Sequence, residues 1–243
     1  MNRIAVLSDI HSNLHALTAV WERLEDIGVD AVFCLGDIVG YGGRPVECLK
    51  MIRDNGVTCV QGNHDALVAK GFQNLDFNIY ALAAMKHNRT QLDAESLQWL
   101  IKLPTSYRLS VDALFVHGAP DGRDRYLVGL DDLRGASEAL MKKDGPGVCF
   151  FGHTHHPVVF DGHRFKRVKH KVVFLEPGQR TLANPGSVGQ PRDNDPRASF
   201  LWWDRKAQTL NFERVEYDIQ GARQDILDAG LPRILGDRLL EGY

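Results

Sequence analysis

Five short stretches of this chain place carboxylate, imidazole and amide side chains directly after apolar runs. Asp9 and His11 follow residues 4–7, and Gly36 and Asp37 follow residues 31–35. Gly62, Asn63, His64 and Asp65 follow residues 57–60. His117 and Gly118 follow residues 113–116, and Gly152, His153 and His155 follow residues 147–151. Carboxylates and imidazoles with no thiolate among them suit Mn, Fe, Zn or a similar divalent ion. Asp9 with His11, and His153 with His155, can share a metal where the chain is extended and curving. Glycines or small residues nearby let backbone approach closely. Asp9, His11, Asp37, Asn63, His117, His153 and His155 are too many for one ion. Two ions sharing one carboxylate would use them all at four ligands each. A lone D-x-H, H-x-H or G-D carries little weight; five such fragments in order, each at the end of an apolar run, carry a great deal.

The elements that must position these groups read as alternating strands and helices. Residues 4–8, 31–35 and 57–60 are buried strands. Between them lies a helix with apolar positions Leu14, Leu17, Val20, Trp21, Leu24 and Ile27, capped by Asn13 and ended by Gly28. A second helix opens at Pro45, runs to about Arg53 and stops at Asn55-Gly56. This order predicts a parallel sheet with crossover helices, whose strand ends form a binding crevice. Residues 78–103 are helical with a break over 88–93 and a stop at Pro104. Residues 107–109 and 113–116 pair about a Val-Asp turn. A helix covers 131–143, and 147–151 is another buried strand. Beyond Pro157 short strands dominate, with a hairpin at 200–204 and 209–215 and a final helix at 219–229. One domain over residues 1–243 is expected.

Composition narrows the function. The chain has 243 residues and a formal net charge of -2, so no basic excess advertises nucleic acid. No apolar run reaches the ~18 to 20 residues of a membrane span. The short apolar start leads straight into Asp9 and His11 and is no secretory leader, so a cytoplasmic protein is expected. Cys34, Cys48, Cys59 and Cys149 form no C-x-x-C pair and read as small buried hydrophobes. A dinucleotide-binding oxidoreductase would need G-x-G-x-x-G after the first strand, where this chain has Asp9-Ile10-His11-Ser12-Asn13-Leu14.

The five fragments resemble the pattern of the calcineurin-like metallophosphoesterases: D-x-H, G-D, G-N-H-D/E, a lone H, then G-H-x-H. Ser8 to Leu14, Gly36 to Gly42 and Asn184 to Arg192 are similar to the small bacterial phosphodiesterases of that superfamily, some of them diadenosine-tetraphosphatase-like. The resemblance implies an α/β fold, a four-layer α-β-β-α sandwich with two central mixed sheets. It implies one metal on Asp9, His11 and His155, another on Asn63, His117 and His153, and Asp37 as the bridge. It implies that His64 binds no metal and acts as the proton donor, oriented by Asp65. Protein Ser/Thr phosphatases of the superfamily carry an acid and an arginine where this chain has Gly40 and Tyr41, which argues against that activity.

The expected function is therefore a metal-dependent phosphoesterase, foremost a phosphodiesterase on small, nucleotide-type esters. Two divalent ions ~3.5 to 4 Å apart, Mn first with Fe, Zn, Ni and Co accepted by the same donors, would hold an attacking hydroxide between them. Candidate substrate contacts are Tyr41, Arg123, Arg125 and Asn13, the last also the helix cap. His15 reads as solvated. Arg192 and Arg197 are expected to pair with Asp193 and Asp195, and Asn184 to Ser187 to shape a turn beside the metals. His87, His156, His163 and His170 carry no assigned role. Of Trp202 and Trp203, one should face the core and the other a subunit interface in a homo-oligomer. The rival reading is a non-catalytic scaffold that binds partner proteins through a degenerate pocket. Such a chain would lose ligands or the acid, and here all stand.

Overall fold

The computed structural model describes residues 1–72, 78–110, 112–140, 145–168 and 172–243. Among them the order is β1 (Arg3–Leu7), α1 (Leu14–Ile27), β2 (Ala31–Cys34), α2 (Pro45–Asp54), β3 (Thr58–Cys59), α3 (Asn63–Lys70), α4 (Ile79–Gln91) and α5 (Ala94–Lys102). Then come β4 (Ser106–Leu109), β5 (Ala113–Val116), α6 (Leu130–Leu140), β6 (Val148–Phe150), β7 (Pro157–Phe160), β8 (Phe165–Arg167) and β9 (Val172–Phe174). The chain closes with β10 (Thr181–Pro185), β11 (Ala198–Asp204), β12 (Thr209–Val215), α7 (Ile219–Asp228) and α8 (Arg233–Glu241).

Two mixed sheets stack face to face. One has the order β3-β2-β1-β11-β12-β9 and the other β4-β5-β6-β10-β7-β8. β1, β2 and β3 run parallel, while β11 joins β1 antiparallel with Val6 opposite Leu201. In the second sheet β5, β6 and β10 run parallel. Ile4, Val6, Phe33 and Leu35 of the first sheet meet Phe115, Phe150 and Ala183 of the second, and Phe33 stacks on Phe115 at 4.2 Å. Each of the larger side chains, fully buried, contributes about 1.5–3 kcal/mol. The outer face of the first sheet carries Ala5, Leu7, Cys34 and Phe200 against helical residues such as Leu17, Val20 and Leu49. Leu133, Ala136 and Leu140 of α6 cover Phe151, Phe160 and Leu182 on the other side. Helices, sheet, sheet and helix make the four layers the resemblance implies.

Local chemistry sets the boundaries. Asn13 accepts from Ala16 N at 3.0 Å to cap α1, and Gly28 ends it at φ 67°. The helical break falls at Leu92–Asp93, where Asp93 caps α5 by accepting from Ser96 N at 2.7 Å. Asn88 stays inside α4, because its amide bonds outward to Ser12 and to the Gly40 and Gly42 backbone and does not compete with the helix. Two helices escape the sequence pattern. The strand-end loop at 62–65 continues directly into α3, and α7 is followed by α8. Residue 111 of the predicted Val-Asp turn, residues 141–143 at the end of the predicted 131–143 helix, and His170 lie outside the described residues. In β11, Trp203 is buried between the sheets, and Trp202 packs on the α1 side with Nε1 donating to Glu213 at 3.2 Å. Its neighbour on that face is therefore the chain's own helical layer. No described helix is long and apolar enough to cross a membrane.

Candidate metal centre

All seven sequence-derived ligands converge where the C-terminal ends of β1, β2, β3, β5 and β6 meet across the two sheets. Each is buried. The chain turns sharply there. Asp9, His11, Asp37, His153 and His155 have φ of 54°, 48°, 53°, 67° and 60°. These are left-handed conformations costly for residues with a Cβ, and they persist only where surrounding bonds impose them. Such bonds are present. Asp9 N and His11 N donate to Gly36 O and Asp37 O, and Gly189 N donates to Asp9 O, at 2.9–3.0 Å. Ser187 Oγ donates to Asp9 O at 2.7 Å, and His153 N donates to Asp9 Oδ2 at 3.0 Å.

The donor atoms form two sets. In the first, His155 Nε2 lies 3.2 Å from Asp9 Oδ1 and 3.2 Å from His11 Nε2. In the second, His117 Nε2 lies 3.0 Å from Asn63 Oδ1 and 3.1 Å from His153 Nδ1. Asp37 Oδ2 stands between them, 3.8 Å from His11 Nε2 and 3.4 Å from His117 Nε2. Asp9, His11 and His155 thus form one metal-capable cluster and Asp37, His117 and His153 another, while His64 groups with His11 and Asp37 in a third.

The tautomers show that these sets fit cations. Nδ1 of His155 donates to Gln190 O at 2.6 Å, Nδ1 of His117 to Leu35 O at 2.8 Å, and Nδ1 of His11 lies 3.3 Å from Val39 O. With the proton on Nδ1, Nε2 presents a lone pair. Two such lone pairs, on His11 and His155, face each other at 3.2 Å beside Asp9. A cation between them turns that repulsion into coordination.

Charge states agree with ligand chemistry, which needs neutral imidazoles and ionised carboxylates. Burial, then the neighbouring His64 imidazole, holds His11 well below its usual value. Burial, then Arg192, lowers His155. Burial, then His117, lowers His153 to about 4. Burial opposes ionisation of Asp9, yet His155 and His117 hold it low; the same balance at Asp37 is won by His117, His64 and His11. His117 is the exception. Burial lowers it, but Asp37 and Asp9 overcome this and raise it to about 10. The negative potential that does so is the one a divalent ion would meet.

His64 sits beside this centre, its ring 4.8 Å from that of His11, and its backbone N–H donates to Asp37 Oδ1 at 2.8 Å. Its imidazole is pushed down: burial dominates, Asp37 opposes, Arg192 adds to the lowering, and the result is about 4. Asp65 is engaged by backbone. It accepts from the N–H groups of Asp37, Ile38, Val39 and Gly62 at 2.8–3.2 Å, and so fixes the loop that carries Asp37. Burial and Asp37 push its carboxyl up to about 7 against those donors.

The other candidates separate. Asn13 is a cap, and its amide also donates to Gly189 O at 2.9 Å. Tyr41 lies at the centre, its ring 4.6 Å from His11 and 4.7 Å from His64. Arg123 is bonded to Asp124 and to Gln61 Oε1 at 2.8 Å, and Arg125 to Asp121 at 2.7 Å. His15 is not simply solvated; it lies 3.2 Å from Asp225. Arg197 pairs with Asp195 as expected, whereas Asp193 pairs with Arg214. Arg192 instead points to the centre, 5.6 Å over the Tyr41 ring. Asn184 donates to Gly152 O at 2.8 Å and to Thr154 Oγ1 at 3.0 Å. Sequence reasoning missed Asn88, which ties the Asp9 and Asp37 loops together, and Tyr126, whose ring stacks on His153 at 3.7 Å. A cavity of about 510 Å³ lined by Asn2, Gly147, Val148 and Trp203 lies at the opposite ends of β1 and β6 and contains none of these residues.

Comparison with known proteins places the chain in a family. Residues 2–207 match the model of the calcineurin-like phosphoesterase superfamily domain. The chain is 38% identical to an uncharacterised protein of Methanocaldococcus jannaschii, over 98% of both. It is 38% identical to a metallophosphoesterase from Sphaerobacter thermophilus, with a TM-score of 0.86 over 99% of each chain. A candidate diadenosine tetraphosphatase is similar in fold alone, with a TM-score of 0.52 at 14% identity over 88% of this chain and 94% of that one. With two donor sets meeting at one aspartate and a family match across most of its length, this chain belongs to the calcineurin-like metallophosphoesterase superfamily.

Proposed function

We propose that the protein is a dinuclear metal-dependent phosphodiesterase acting on small phosphoesters, nucleotides among them. One observation carries this reading: Asp37 Oδ2 stands between two complete donor sets, within 3.8 Å of the nearest nitrogen of each. Asp9, His11 and His155 would hold one ion and Asn63, His117 and His153 the other. Manganese is proposed first, because the donors are oxygen and imidazole without thiolate. A bound pair supplies Lewis acidity toward phosphate and lowers the pKa of water.

The chain's own residues do the rest. The buried walls exclude bulk water, which strengthens each electrostatic contact to an anionic ester. His64 is proposed to donate the proton that the leaving oxygen needs. Its imidazole is neutral in the free protein, and a phosphate anion lodged beside it would favour the protonated ring. The retained ligands and His64 disfavour the scaffold reading. Placement with the small bacterial phosphodiesterases rests on the stretches around Asp9, Asp37 and Asn184.

The direct test is a panel with added Mn²⁺: nitrophenyl mono- and diesters, cyclic nucleotides and dinucleoside polyphosphates. Hydrolysis of none would favour the scaffold. Asp37→Asn should weaken both metal sites together, and metal analysis finding two tightly held ions in that variant would refute the bridge. His64→Ala should retain metal and lose roughly 10²- to 10⁴-fold on esters with poor leaving groups, but far less on activated nitrophenyl esters. Equal rates on both would remove His64 from the role.

A further inference from the structure

Among the described residues, Arg192 is a cation without an acid. It donates to Tyr41 Oη at 3.3 Å and Gln190 Oε1 at 2.9 Å, and its buried Nε has no acceptor among the described residues. Among the described residues it forms no ion pair, although Arg197 and Arg214 nearby are both paired with aspartates. Its segment is tied to the centre, since the Gln190 carbonyl accepts from His155 Nδ1. Tyr41 props the guanidinium from below while its own ring packs edge-on to His11.

Tyr126 stands at the other lip. One face of its ring stacks on His153 at 3.7 Å and 26°, yet the residue is 48% exposed. The preceding loop holds it there. Ala119 and Gly122 exchange backbone hydrogen bonds at 3.0 Å, and Arg125 N donates to Gly122 O at 3.1 Å. At Gly118 a Cβ would lie 2.3 Å from Arg123 O, so the loop closes tightly on that position. Tyr126 touches the centre through His153, and Arg192 touches it through Tyr41 and His11, so the two residues flank the same group of ligands. An open aromatic face and a spare guanidinium above a phosphate-directed centre match a phosphate that carries a planar base.

We propose that Arg192 and Tyr126 select nucleotides at this centre, Arg192 engaging a phosphate oxygen and Tyr126 stacking the nucleobase. The proposal deepens the phosphoesterase reading and rests on it for the chemistry at phosphorus. The probes are adenosine 5′-monophosphate and ribose 5-phosphate, titrated calorimetrically into the metal-loaded protein. Adenosine 5′-monophosphate should bind roughly tenfold or more tighter, the size of one base–aromatic stack. Tyr126→Leu should erase that preference and Tyr126→Phe should keep it. Arg192→Met should weaken both probes about equally, and Arg192→Lys should recover part of the loss. Metal content and circular dichroism must match the parent in each variant.

No preference for the base, no binding of either probe, or a Tyr126→Leu protein that keeps the preference would overturn the proposal. So would Arg192→Met binding both probes as the parent does. Hydrolysis of simple nitrophenyl esters without base preference would leave the phosphoesterase reading standing and this one refuted. The full binding pattern with no hydrolysis of any ester would do the reverse.

Discussion

The left-handed backbone at Asp9, His11, Asp37, His153 and His155 is concentrated at the residues that would hold metal. Strain of this kind costs of order 1–3 kcal/mol per residue and needs a rigid surround. Gly40 shows how tight that surround is. At φ 131° a Cβ there would sit 2.6 Å from Nδ1 of both His11 and His64. Gly40→Ala should therefore fold yet bind Mn²⁺ roughly tenfold or more weakly, from displacing His11 by an amount worth at least ~1.4 kcal/mol. A metal titration indistinguishable from the parent would contradict this. The ligands themselves are legible in the sequence, because each follows an apolar run. Asn88 and Tyr126 are not, since an asparagine inside a helix and a tyrosine in a loop carry no periodic signal of what they touch.

Elements were legible where one face is apolar and the end has a recognisable stop. α1 shows both, from the Asn13 cap to Gly28. α8 has only the stop, Gly242 at φ 70°: Pro232 makes no side-chain cap, the charged residues Arg233, Asp237, Arg238 and Glu241 interrupt its apolar side, and Gly236 sits inside it, packed on Arg223. α3 is hidden for the opposite reason, being buried nearly all round with its first turn occupied by Asn63, His64 and Asp65. The connection from β10 to β11 is fixed by ions. Asp195 accepts from Arg197 at 2.8–2.9 Å, and Arg214 lies 3.8 Å away. The Arg197 hydrogen bonds, against burial and with help from Arg214, hold the Asp195 carboxyl below its usual 3.8. A depressed folded pKa means the unfolded chain takes up the proton first. The contribution is then full above the unfolded pKa and fades as pH falls through the folded one. Asp195→Asn should lower stability at pH 7, and its deficit against the parent should shrink steadily below about pH 4 in urea unfolding. A deficit that did not change with pH would show that this carboxylate charge is not what stabilises the connection.

In the whole molecule the two sheets share one polar seam, where Asp9, His11, Asp37 and Asn63 come from the first sheet's strand ends and His117, His153 and His155 from the second's. Divalent ions should therefore raise the melting temperature. At a concentration 100 times Kd the linkage amounts to about 2.7 kcal/mol per site. Chelation should reverse the shift, and Asp37→Asn should lose most of it; identical melting with Mn²⁺ and with chelator would mean no native-state binding. Each proposed ion draws donors from both leaves of the sandwich, His155 completing the Asp9–His11 set and Asn63 completing the His117–His153 set. A cation in either place is thus a rivet through the stack as well as a reagent. Slow amide exchange along Leu7, Leu35 and Phe151 should mark rivets in place, and quickened exchange on both leaves at once should mark their removal.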